Sequence, residues 1–156
     1  MVSFEGLLIG IAQLGVAIAG FAGVVAAFRQ EPLADLQSYR LHVLVRTSLG
    51  VTFMALLPSL FFAAFRDERQ AIGSASGSSA VWMLLTVIAL QRQLLRVGSF
   101  WSRQNLISLP FAIIATGLFA VNAVSLDAWW PFLGGLVLVL MTAALAFQRL
   151  IGVRKP

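Results

Sequence analysis

Tyr39, His42 and Arg46 recur at i, i+3 and i+7, a spacing that predicts three side chains on one helix face. A phenol, an imidazole and a guanidinium together suit an anion. Phosphate or carboxylate fits best, because the planar guanidinium presents two parallel N–H donors. Arg46 also stands inside the long apolar run that follows RLHVLV at residues 40–45, where an unpaired charge is costly. Two readings account for it. If the membrane part of the helix begins at Val45, 21 residues remain to Phe65, still enough to cross about 30 Å of hydrocarbon. Arg46 then lies within one turn of an interface and snorkels to headgroup phosphates. Alternatively the three residues form a dedicated anion or headgroup site, or Glu31 and Asp35 neutralise Arg46 in an ion-pair lock.

Other polar side chains fall into patterns. Arg92 and Arg96 are four apart, with Arg103 close behind, a basic cluster suited to anionic headgroups. Ser79, Thr86 and Gln93 recur every seventh residue and predict a thin polar stripe, either packed between helices or lining a pore. Gln13 is the deepest strongly polar residue of the first apolar run, where an interhelical hydrogen bond is expected. Asn122, near the end of its run, is expected at an interface. Gly15, Ala19, Gly23 and Ala27 are each four apart and read as a helix-packing face, within the chain or between copies.

Several chemistries are excluded by what is missing. There is no Cys and one His, so thiolate and His-rich metal or haem sites within one chain are not expected. No apolar run holds an interior Asp or Glu, and neither HExxH nor GxSxG occurs. No catalytic residue, metal ligand set or cofactor is therefore expected, and the chain reads as a non-enzyme.

The elements that must position these residues are legible from composition. Hydrophobic residues make up 60% of 156 and charged residues 11%, with a mean hydropathy of +0.92. Soluble domains are closer to about 25% charged. Five apolar segments are long enough to span a bilayer: about 4–28, 41–65, 76–97, 105–124 and 130–150. The first lacks a basic leader and runs past the length of a signal peptide core, so it is expected to be retained.

Charge sets the expected orientation. With five spans and the N-terminus outside, eight basic residues (Arg29, Arg40, Arg92, Arg96, Arg103, Arg149, Arg154 and Lys155) share one side. Only Arg66 and Arg69 fall on the other. That asymmetry predicts a cytoplasmic C-terminus. Trp129 and Trp130 suit the outer interface and Trp101 the inner one. The net charge of +5 is accordingly a membrane-surface feature and not a nucleic-acid footprint. Ten of the eleven basic residues are Arg, which favours a bacterial source.

The expectation is an all-α, single-domain polytopic membrane helix bundle in a plasma membrane. Its function is that of a non-catalytic oligomeric or accessory subunit, in contact with anionic lipids and with copies of itself or another membrane protein. The alternative is a small homo-oligomeric channel, anion-preferring if selective, with Ser79, Thr86 and Gln93 along its wall.

Overall fold

The computed structural model describes residues 4–28, 35–96 and 103–151. Glu31 and Trp101, with Arg29, Arg154 and Lys155, lie outside the described residues, as do the side chains of Asp35, Arg103 and Arg149. The described chain is all-helical: α1 (Phe4–Ala27), α2 (Asp35–Phe65), α3 (Glu68–Arg96), α4 (Arg103–Val121) and α5 (Trp129–Ile151). All five are long and apolar enough to cross a membrane. α2 has 31 residues, about 46 Å at 1.5 Å per residue, well beyond a hydrocarbon core of about 30 Å. α2 runs unbroken through Pro58, which is fully buried.

The connections on the Trp129 end are tight, and their chemistry explains why. α2 ends when Arg66 takes a left-handed conformation (φ 55°), its N–H bonded to the Phe62 carbonyl at 2.9 Å. Asp67 follows as the N-cap of α3, its Oδ1 accepting from the N–H groups of Arg69 (2.9 Å) and Gln70 (3.4 Å). α4 runs into a π-helical turn, Asn122–Leu126, closed by Asp127 at φ 44°. Two-residue links of this kind make consecutive helices antiparallel neighbours.

Glycines set the closest approaches. A Cβ on Gly50 of α2 would lie 1.9 Å from the Trp82 ring of α3. On Gly135 of α5 it would lie 2.7 Å from the Phe119 ring of α4, which packs edge-on against Phe132 at 5.5 Å. The core is split lengthwise. One cluster, around Met54, Met83, Phe119, Phe132 and Leu136, joins α1 to α5. A second, around Tyr39, Leu44, Leu94 and Ala146, closes the opposite end.

α1 and α4 are peripheral, each with 22% of its most apolar window buried, against 39–44% for the other three. α4 turns bulky Ile113, Ile114 and Val121 outward. α1 turns outward Leu14, Val16, Phe21 and Val24, together with the small residues described below.

Candidate functional site

The polar residues singled out from the sequence are distributed over three places and one helix face. The first place is a groove of about 350 Å³ between α2 and α3, lined by Leu41, His42, Val45, Arg46, Leu90 and Gln93. Arg46 is nineteen residues from Phe65, about 29 Å along the helix, close to the thickness of a hydrocarbon core of about 30 Å. His42 Nδ1 lies 2.9 Å from the Ser38 carbonyl. A carbonyl only accepts, so Nδ1 carries the hydrogen and Nε2 is left for another partner. Gln93 supplies an amide from the facing helix. Arg92 and Arg96 are exposed on α3 near this end, outside the groove lining.

Tyr39 does not join this site, contrary to the i, i+3, i+7 expectation. It is 6% exposed and lines an interior cavity instead. Tyr39 lies on the border between the buried and exposed sectors of α2: the step to Val43 leads inward and the step to His42 outward. An apolar ring gains by taking the buried side, whereas the cationic side chains take the open one.

That interior cavity, of about 40 Å³, is the second place. Tyr39, Thr47, Thr86, Gln91, Ser108 and Thr142 surround it with polar atoms from α2 to α5. Thr47 and Thr142 return their hydroxyls to their own helices, at 2.6 Å to the Val43 carbonyl and 3.0 Å to the Leu138 carbonyl. Among the described residues the Thr86 hydroxyl has no partner, nor have those of Ser48 and Ser79. A polar space of this size admits a water molecule. Of the expected stripe, Ser79 and Thr86 are buried inside the bundle while Gln93 emerges in the outer groove. A seven-residue repeat drifts about 20° per heptad on a straight helix, enough over two heptads to carry Gln93 out. Thr86→Val removes a hydroxyl that pairs with no group among the described residues. Its thermal midpoint in detergent is expected to equal or exceed that of the parent, and a drop of several degrees would show that the hydroxyl is bonded after all.

The third place was not foreseen from the sequence. At the Trp129 end a cavity of about 400 Å³ is lined by Glu5, Leu8, Pro58, Phe62, Glu68 and Trp129, among others. The Trp129 Nε1–H donates to Glu68, and the Phe4 ring stacks on Trp129 with centroids 5.3 Å apart. Glu5, Glu68 and Trp129 stand on three helices and have no mutual spacing to notice. Asn122 is likewise misplaced by the interfacial expectation. It is 0% exposed, its Nδ2 donates to Ser76 Oγ at 2.7 Å, and its Oδ1 accepts from the Ala128 N–H at 3.0 Å. A residue near a helix end reads as interfacial until a neighbouring helix covers it.

The helix face belongs to α1, and here the expected row of small residues is corrected. Gly15 alone of the Gly15–Ala19–Gly23–Ala27 row is fully packed. A Cβ there would sit 2.7 Å from the Ser48 carbonyl oxygen, whereas at Gly23 nothing lies within 4 Å. Ala19 is half-buried and Ala27 exposed. Each four-residue step advances about 40° around the helix, so the row winds off the α2 contact. Gln13 bonds to no neighbouring helix among the described residues; it is exposed, about 4 Å from the midpoint of α1. Beside it are the exposed Ala17 and Gly20 and the half-buried Gly10, and neither glycine has a neighbour within 4 Å of a built Cβ.

The chain matches no family model, and no curated protein or solved structure is significantly similar to it.

Proposed function

We propose that this chain is a non-catalytic multi-pass subunit of a bacterial plasma membrane, N-terminus outside and C-terminus cytoplasmic, which works by associating with further copies of itself through α1. The observation that carries the reading is Gln13. Its carboxamide is exposed near the middle of an apolar helix, where hydrocarbon offers it neither donor nor acceptor. Gly10, Ala17 and Gly20 around it allow a second backbone to approach closely. An amide both donates and accepts, so two copies related by a twofold axis can pair Gln13 reciprocally. Such a bond contributes about 0.6–2 kcal/mol, with close packing along the glycines adding to it.

A permeation pathway is the second reading, favoured by the hydroxyl-lined cavity around Thr86. Ser79 and Thr86 are turned into their own bundle, so a pathway they line would run within one chain and not between copies.

The test is the protein mass in nanodiscs or mild detergent by light scattering, with chloride flux read from the same preparation in liposomes. The parent is expected to be a defined homo-oligomer. Gln13→Leu and Gly20→Ile are expected to shift it toward monomer, with unchanged helical circular dichroism. A monomeric parent, or variants that assemble as the parent does, would sink the reading. Chloride flux abolished by Thr86→Leu would transfer support to the pathway.

A further inference from the structure

We infer that the groove between α2 and α3 is a binding site for the phosphate of an anionic phospholipid in the cytoplasmic leaflet. The argument starts with Arg46. It is the arginine set deeper into the α2 span, six residues further in than Arg40. It stands about 29 Å from Phe65 along α2 and has no ion pair among the described residues. A guanidinium at that depth needs an anion or the headgroup layer to offset its desolvation.

The groove supplies more than an exposed arginine. Its polar side chains come from two helices: Arg46 and His42 from α2 and Gln93 from α3. The guanidinium offers paired N–H donors to two phosphate oxygens. The Gln93 amide adds a neutral donor. His42 has Nδ1 committed to the Ser38 carbonyl at 2.9 Å. That bond orients the ring. The remaining lining, Leu41, Val45 and Leu90, is apolar. A space of about 350 Å³ with cationic and amide donors beside aliphatic walls fits a phosphate ester that carries a hydrocarbon chain better than a free ion. Inorganic phosphate shares the headgroup chemistry but would leave the aliphatic walls unused. Arg92 and Arg96 are exposed near the same end but do not line the groove.

This inference does not rest on self-association through α1, because the groove lies between two helices of a single chain. The experiment is retention of phosphatidylglycerol by the purified protein, read by native mass spectrometry from detergent as lipid is titrated. Arg46→Gln and Gln93→Leu are the test variants, with Arg92→Gln as the control. The parent is expected to retain a lipid at low micromolar concentration. Arg46→Gln should weaken that retention tenfold or more, Gln93→Leu to a lesser degree, and Arg92→Gln hardly at all. Arg46 and Gln93 are not core residues, so these variants are expected to fold, which circular dichroism and a monodisperse gel-filtration peak verify. Equal retention by the parent and Arg46→Gln would overturn the proposal, as would an equal loss in Arg92→Gln. Displacement of the lipid by millimolar inorganic phosphate, with calorimetric binding of phosphate dependent on Arg46, would overturn the lipid assignment in favour of a free anion.

Discussion

Gly15→Val is expected to lower stability by about 1–3 kcal/mol, the largest loss of any glycine-to-valine change on α1. At Gly15 a new Cβ would lie 2.5 Å from Thr52 Oγ1 and 2.7 Å from the Ser48 carbonyl oxygen. The hydroxyl can rotate away, but the carbonyl is fixed in the α2 backbone, so the helices must separate. Separation would also strain the Thr52 hydroxyl, which is shared between the Ala12 and Ser48 carbonyls at 3.1 Å each. Gly23→Val is the matched control, since nothing lies within 4 Å of a Cβ there and it carries the same change in helix propensity. Thermal unfolding in detergent should show a clear drop for Gly15→Val and little for Gly23→Val. Equal midpoints would refute the tight α1–α2 contact.

Asn122→Ala is the second large effect, again about 1–3 kcal/mol. Asn122 holds the π-helical turn to its surroundings from both ends of one amide: Nδ2 to Ser76 Oγ at 2.7 Å and Oδ1 from the Ala128 N–H at 3.0 Å. Truncation leaves a buried hydroxyl on α3 and the amide at the entry to α5 without those bonds. Asn122→Asp should be no milder, because it retains an acceptor for Ala128 but places a carboxylate where the native side chain is wholly buried. A double-mutant cycle with Ser76→Ala isolates the direct bond; a coupling energy near zero would show that Asn122 acts through the turn alone. Gly73 leaves room for this junction, since a Cβ there would lie 2.6 Å from Asp127 Oδ1.

Spans and connections were legible in the sequence because they depend on local quantities. A segment such as residues 41–65 is apolar over a length that crosses hydrocarbon whatever it packs against, and RDE at residues 66–68 breaks it with charge. The helices α1 to α5 accordingly fall close to the expected spans, with α2 and α3 extended at one end by residues too polar to count as membrane core. Thr86 and Ser79 were legible as inward-facing for a similar reason: hydroxyls within an apolar helix avoid lipid.

What the sequence could not decide was direction around each helix. In water, hydrophobic periodicity separates inside from outside. In lipid both sides of a helix are apolar, so that signal is weak and spacing alone must stand in for it. Spacing joined Tyr39 to Arg46 and ran Gly15 into Gly23. Packing undid both, because the line where two helices touch follows their crossing and not an i+4 or i+7 row. The same limit hid the meeting of Arg46 with Gln93, and that of Glu5 with Glu68 and Trp129. Sequence by itself determined that five apolar helices would form and roughly where each would end. Only tertiary structure decided which residues share a groove, since that depends on distances between helices that no single helix encodes.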